Sequence, residues 1–445
     1  MSFPKYPAYK DSGVEWIGEI PLGWNIKPLW ALFRRVKRNN HAEKELLSVY
    51  RDYGVIPKIS RNDNFNKPSD DLTAYQLVEK GDLVINKMKA WQGSCAISDF
   101  KGIVSPAYFV FSSLSNNFIK FLHYLFRSDL YVSYYLSISK GIRPNQWDLD
   151  PEIHSTIPVL LPPLPEQQAI ANFLDRECGK IDALIAEQER LIALLSEKRQ
   201  AVISHAVTKG LNPNAPMKDS GISWIGMVPE GWETSRLKYL VQSSDGIQMG
   251  PFGGMLLDIT SQPTGYKVYG QENTISGNFS LGNRWISADR YKDLVRYSLD
   301  VGDLVLTRKG SLGNSRLISR LPDLGIFDSD TIRIRVDEKK VIPEFISILL
   351  HEAEYIKNQI NYSKRGAILS GINTKNISDL IIFYPDLFDQ INILNFLKNR
   401  FEYFDCSLQQ CVTTINLLKE RRLALISAAV TGKIDVRNQS KANAA

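Results

Sequence analysis

Cysteine and histidine are scarce in this chain, with four cysteines (Cys95, Cys178, Cys406 and Cys411) and five histidines among 445 residues. The cysteines form no CxxC pair and have no set of histidines beside them. That excludes a disulfide framework and a zinc site and leaves reduced thiols. No run of about 18 apolar residues occurs, so no membrane span is expected. The opening MSFPKYPAYK lacks the apolar core of a secretory signal, and a cytoplasmic protein is the expectation. Catalytic signatures are missing as well. There is no GxxxxGK[ST] phosphate loop, because Gly432-Lys433 is followed by Ile434 and has no upstream glycine. No N-P-P-Y or D-P-P-Y methyltransferase tetrad, no glycine-rich cofactor loop and no HExxH is present. One pattern imitates a catalyst: Pro322-Asp323 followed by Asp337-Glu338-Lys339 has the form of a PD-DxK nuclease, in which carboxylates hold Mg²⁺ and the lysine helps activate water. It lies between TIRIRV and Val-Ile-Pro and reads as a solvated turn, so neither a catalytic residue nor a metal ligand is expected.

What the chain does contain is a repeat. KDSGVEWIGEIPLGW at residues 10–24 returns as KDSGISWIGMVPEGW at residues 218–232. Gly81-Asp82-Leu83-Val84 returns as Gly302-Asp303-Leu304-Val305, each a turn into an apolar strand (LVIN, LVLT) followed by basic residues. An amphipathic helix follows in each copy, FIKFLHYLF and FISILLHEA, and then a basic glycine turn at Ser139-Lys140-Gly141 and at Ser363-Lys364-Arg365-Gly366. Each copy closes on a short apolar strand ending in proline, and from there the spacing locks. EQQAIANFL pairs with DQINILNFL, and IALLSEKRQAVISHAVT with INLLKERRLALISAAVT.

The closing segments read as long helices. Ile170, Leu174, Ile181, Leu184, Leu191, Leu195 and Val202 recur at spacings of three, four and seven, as do Ile393, Leu397, Phe404, Leu408, Ile415, Leu418 and Leu425. This is a coiled-coil-like seam, interrupted at Gln188 and Cys411. Roughly forty residues make a rod of about 60 Å, and a seam that would otherwise stay wet predicts that the two rods pair. The expectation is an α+β protein: two pseudo-symmetric α/β heads joined by two long antiparallel helices forming a coiled coil. Its divisions are a head over 1–160, a helix over 161–210, a second head over 211–384, a second helix over 385–432, and a disordered tail over 433–445. The net charge of +6, at a pI of about 8.9, hints at a polyanionic partner. Both helices are close to neutral, so the heads are the expected anion-binding parts.

Two variable units, each introduced by SGxxWIGxxPxGW and ending in a P-x-x-EQ-x-x-I-x-x-FL helix, resemble the specificity (S) subunit of type I restriction-modification enzymes, HsdS-like. The resemblance covers nearly the whole chain and is strongest at PPLPEQQAIANFLD; the second copy departs from it, with Asp389-Gln390 for Glu-Gln. It implies a non-catalytic subunit whose two target recognition domains each read one half of a bipartite, asymmetric site in double-stranded DNA. The helices would fix the unread spacer and dock two methyltransferase (M) subunits, and restriction (R) subunits would join the full complex. It implies no cofactor on this chain, with S-adenosylmethionine on M and ATP and Mg²⁺ on R. Two other readings stay open: a coiled-coil protein–protein scaffold without DNA binding, and the nuclease.

Candidate DNA-binding residues are basic and amide side chains flanked by aromatics. In the first head these are Lys87, Lys89, Trp91, Gln92, Lys140, Arg143, Asn145 and Gln146; in the second, Gln271, Arg308, Lys309, Asn314, Lys364 and Arg365. Arg and Lys pair with guanine or phosphate, and Asn and Gln with adenine. Trp16, Trp24, Trp224 and Trp232 recur identically in both copies, which predicts packing rather than reading. The same argument makes Gly81-Asp82 and Gly302-Asp303 turn chemistry. Gln167, Asn172 and Phe173, with Gln390, Asn395 and Phe396, are expected at helix starts, where outward-facing members are available to an M subunit.

Overall fold

Each repeat folds around a four-stranded antiparallel sheet with the GDLV strand inside it. The computed structural model describes residues 3–438 except 52, 62–66, 115–117, 144–145, 223–224, 243–244, 257, 309–313 and 365–370, with the backbone alone at 142, 143, 146, 363 and 364. The strand order in the first copy is Phe33–Val36, Tyr108–Ser113, Leu83–Asn86, Cys95–Ile97. In the second it is Ile247–Met249, Thr331–Ile334, Leu304–Thr307, Ser315–Leu317. Leucine, valine and isoleucine at 83–85 and 304–306 are buried on both faces, as strands inside a sheet require. The turn before each strand needs a left-handed residue, and Gly81 (φ +89°) and Gly302 (φ +95°) supply it. The aspartate that follows is buried and closes the turn. Asp82 accepts from Glu79 N (2.9 Å) and Arg38 Nη1 (2.6 Å); Asp303 accepts from Asp300 N (2.9 Å) and Arg335 Nε (2.7 Å).

The chain divides into two compact units that cut across both long helices. One contains Met1–Glu189 with Val412–Ala445, the other Arg190–Cys411. The helices run Leu164–Lys209 and Leu387–Val430, 46 and 44 residues, or ~69 Å and ~66 Å at 1.5 Å per residue. In the first unit, Ile170, Leu174 and Cys178 share a core with Ile426, Ala429 and Val430, and Arg422 Nε lies 3.0 Å from Asp182 Oδ1. In the second, Ile203, Ala206 and Val207 share a core with Ile393 and Leu397, and the Arg199 guanidinium sits 4.5 Å over the Phe401 ring. Within each unit, then, a half of one helix runs antiparallel to a half of the other. The seam differs in phase from the sequence reading. Leu184 and Leu191 are exposed, whereas Ile185, Gln188, Ile192 and Leu195 are the partly covered positions. Cys411 is buried between Phe404 and Leu418 in a seven-residue step, so it continues the seam rather than breaking it.

A closing strand ties each helix to its head: Pro158–Leu161 pairs with Asn25–Pro28, and Ile381–Tyr384 with Glu233–Arg236. One turn into each helix a buried glutamine makes the same bonds twice. Gln167 accepts from Phe118 N (2.9 Å) and donates to Pro162 O (2.9 Å); Gln390 accepts from Ile342 N (2.8 Å) and donates to Pro385 O (2.9 Å). These amides fasten the start of the amphipathic helices Ile119–Phe126 and Pro343–Glu352, a structural use that leaves only Asn172 and Asn395 outward.

Elsewhere the units diverge. The first adds the hairpins Leu47–Tyr50/Gly54–Pro57 and Ser139–Arg143/Gln146–Leu149. The second adds a three-stranded sheet in which Tyr266–Tyr269 pairs antiparallel with Trp285–Ile286 and parallel with Gly325–Phe327. Ser139-Lys140-Gly141 is therefore a strand, not a turn: a register shift between Lys140 and Arg143 absorbs the glycine as a bulge. The expected tail is also not a tail as far as residue 438. Val436 is 1% exposed in the first unit's core, and Asp435 N donates to Pro4 O at 2.7 Å. Residues 439–445 lie outside the described residues.

Candidate nucleic-acid interface

In the first unit the candidate residues gather where the GDLV strand ends. Asn86 Oδ1 accepts from Met88 N (3.1 Å), turning the chain into a short 3-10 segment that Gly93 (φ +85°) terminates. Trp91 Nε1 donates back to Met88 O (3.1 Å), and its ring lies 4.8 Å from Trp147 at 55°. The bulged hairpin joins by a bond from Leu149 N to Lys87 O (3.0 Å). Lys87 Nζ is 3.8 Å from Asp148 Oδ2, and Lys140 stands opposite Asp148 in the register. Lys87, Lys89, Trp91, Gln92 and Lys140 thus share one surface, with Lys87 beside the Asp148 carboxylate, Lys140 opposite Asp148 in the register and Lys89 exposed. Asn145 lies outside the described residues, and of Arg143 and Gln146 only the strand position is described.

The structure adds residues that sequence reasoning missed. The tip of the Leu47–Pro57 hairpin reaches this surface, where a Cβ on Gly93 would lie 3.9 Å from Arg51 Cγ. Tyr53 is 57% exposed with the Arg61 guanidinium 4.4 Å over its ring. An exposed aromatic face backed by a cation suits stacking on a base. The available signal was the interleaving of Tyr50, Arg51 and Tyr53 ahead of Gly54.

In the second unit Arg308 takes the place of Lys87 but is held differently. Its Nε donates to Ile372 O (3.2 Å) and its Nη1 to Ser329 O (3.3 Å), while its backbone pairs with Asp330 and Ile372 as that of Lys87 pairs with Ala107 and Leu149. Asn314 is half-buried and accepts from Thr307 N through its carbonyl (2.9 Å). Gln271 opens the short helix Gln271–Ser276, with its Oε1 enclosed and unpartnered among the described residues. Beside it Arg284 bridges Asp328 (2.8 Å) and Glu272 (3.3 Å). Burial raises the Asp328 carboxyl above the usual carboxylate range, opposed by Arg284. Lys309 and Arg365 lie outside the described residues, and of Lys364 only the helix position is described. This face is therefore more internally bonded than its counterpart.

The tryptophans behave as packing. Trp24 is fully buried, Trp232 is 5% exposed, and Trp16 stacks on Tyr134 at 4.2 Å; Trp224 lies outside the described residues. The nuclease-like residues serve local contacts. Asp323 faces the ammonium of Lys267 (3.8 Å), while Asp337 accepts from Lys339 N (3.2 Å) and meets Lys340 (3.5 Å), closing its own turn. Among the described residues no cluster of His, Cys, Asp or Glu is arranged for a metal, and no helix is long and apolar enough to cross a membrane.

Residues 21–192 match the family model described as type I restriction modification DNA specificity domain. The chain is 24% identical over 451 residues to the type I restriction enzyme EcoKI specificity subunit of Escherichia coli K12, covering 94% of this chain and 90% of that protein. It is 26% identical over 325 residues to the MjaVIII specificity subunit of Methanocaldococcus jannaschii, covering 70% and 71%. Two solved structures share the fold. One is a chain from work on complex assembly and conformational transition of the type I R-M system (TM-score 0.68, 15% identity, 92% of this chain and 98% of that one). The other is the HsdS subunit from Thermoanaerobacter tengcongensis (TM-score 0.52, 16% identity, 95% and 99%).

Proposed function

From the premise that this chain is HsdS-like, a homologue of type I specificity subunits that carries their DNA specificity domain, we propose how its two units divide the work. The chain is the DNA-specificity component of a type I restriction-modification system, directing adenine methylation by M subunits and restriction by R subunits. Each unit reads one half of a bipartite, asymmetric site. The observation that carries this reading is the pairing of a shared frame with unlike surfaces. The four-stranded sheets have the same order, the glutamine fastenings have matching partners and the backbone pairing of Lys87 and Arg308 is equivalent, while their side chains differ, Lys87 facing Asp148 and Arg308 donating to Ile372 O and Ser329 O. Lys87, Lys89, Lys140 and Arg51 would meet phosphate or guanine, and Tyr53 and Trp91 would stack.

The long helices hold the readers apart and dock two M subunits. Leu184, Leu191 and Leu194 support this, since they stay exposed at spacings of seven and three on the first helix. S-adenosylmethionine would be held by M, and ATP with Mg²⁺ by R, leaving this chain a cytoplasmic recognition subunit without catalysis of its own. The test is co-expression with an adenine methyltransferase subunit of the same system, followed by single-molecule sequencing for N6-methyladenine. A split motif with a fixed gap, present only with this chain, is the expected result. Methylation that ignores this chain, or a stable complex without methylation, would favour the scaffold reading instead.

A further inference from the structure

The two units contain one site in two states of completion. In the first unit, Trp24 Nε1 donates to Glu166 Oε1 at 2.8 Å, and the same oxygen accepts the Tyr6 hydroxyl at 2.5 Å. The Tyr6 ring meets Trp24 edge-on at 6.0 Å, and the Arg437 guanidinium sits 4.9 Å from its centroid. Tyr9 Oη donates to Gly432 O (3.0 Å). Two separate stretches of chain, residues 3–9 and 432–437, therefore fill this place together.

In the second unit the single segment 209–217 stands in for both. By the spacing of the repeat, Asn214 replaces Tyr6, Met217 replaces Tyr9 and Asp389 replaces Glu166. Among the described residues no ring fills the centre. What remains is a cavity of about 610 Å³ bounded by Pro229, Glu230, Trp232, Asp386, Asp389 and Ile393. The chain also lies more loosely here. A Cβ on Gly432 would come within 2.5 Å of Pro21, whereas on Gly210 the nearest atom, on Trp232, is 3.5 Å away. Asp389 is exposed, whereas Glu166 is buried under its two donors.

We propose that this cavity receives a tyrosine side chain carried on an extended basic segment of a partner protein, completing in trans what Tyr6 completes within the chain. The volume lies within the range of about 300–1,000 Å³ typical of binding clefts. Trp232 offers the apolar wall and Asp389 the acceptor for a hydroxyl. The rim is acidic, with Glu230, Asp386 and Asp389 against Lys209, whose ammonium is bonded to Met227 O. A basic segment complements that rim, as Arg437 complements Glu166 and Tyr6 in the first unit. Binding at this cavity does not depend on DNA, and the assay contains none.

The full chain is titrated with the decapeptide MSFPKYPAYK, its own residues 1–10 supplied as a probe, and binding is followed by saturation-transfer NMR on the tyrosine ring protons. Saturable binding is expected, at least tenfold weaker for the Tyr6→Ala peptide. The protein variant Ala215→Tyr, at a position that lines the cavity, fills the site from within and abolishes binding, and Asp389→Lys, at an exposed position, weakens it at least threefold. Binding unchanged in both variants, or none up to about 5 mM peptide, overturns the proposal. Sedimentation of the free chain separates the other occupant: a concentration-dependent dimer abolished by Tyr6→Ala would assign the cavity to a second copy and remove the partner protein.

Discussion

Gln167 and Gln390 show how much of each unit rests on one amide. Gln390 is fully buried, and it bonds Ile342 N, Pro385 O and Lys340 O at once. Gln390→Ala strands those backbone groups without water, and a loss of about 1–3 kcal/mol is expected in denaturant unfolding. An unchanged midpoint would mean that the groups find other partners. His154 gives a pH dependence whose sign can be worked out. It is 1% exposed among Phe111 and Tyr135, and burial pushes its imidazole down to about 3. The unfolded chain, titrating near 6.5, binds the proton first, so stability is level above about pH 6.5 and falls as the pH drops below it. About 1.4 kcal/mol is expected to go between pH 7.5 and 5.5 from this residue. His123, lowered to about 4 by burial and by Arg127, adds a second share. His154→Leu should flatten the curve measured by urea unfolding at the two pH values; an unaltered slope would clear His154. Turn chemistry at Asp82 and Asp303 was legible because it recurs. The cation on the Tyr53 ring was not, since Arg61 reaches it from beyond the hairpin strand.

At the scale of elements, periodicity found both long helices but misplaced the seam. From Ile181 onward the covered positions advance by four, three, four and three, reaching Ile185, Gln188, Ile192 and Leu195. Counting only strongly apolar residues jumps to Leu184 and Leu191 and skips the glutamine. A seam tolerates one polar member where the flanking layers are apolar, which a hydropathy count penalises. The same blindness turned a bulged strand at Lys140 into a turn, because glycine signals both. The helices' proposed role as a spacer predicts a length effect. Four residues inserted after Ala193 and four after Gln409 add one turn, about 6 Å, to both helices. The methylated half-sites should then stand about two base pairs farther apart with their sequences unchanged. Single-molecule methylation sequencing reads this directly, and an unaltered gap would remove the helices from spacing.

For the whole molecule, the two-headed plan was legible from the repeated opening motif, yet the unit boundaries were not. Sequence order suggests heads alternating with helices, whereas each compact unit contains halves of both helices. Contacts such as Asp182 with Arg422 join residues that no local pattern relates. Independent heads still predict that exchanging residues 211–384 for the equivalent of a relative changes one half of the methylated motif only. A change in both halves would mean that the readers are coupled. The closure of the first unit also sets an order in time. Its core includes Ile426, Val430 and Val436, which leave the ribosome about 240 residues after Glu189. At roughly 5–20 residues per second that is a delay of about 10–50 s, during which the second unit, contiguous from Arg190 to Cys411, is already complete. The part of the protein made first is finished last, so a nascent chain that stalls late leaves its amino-terminal core open.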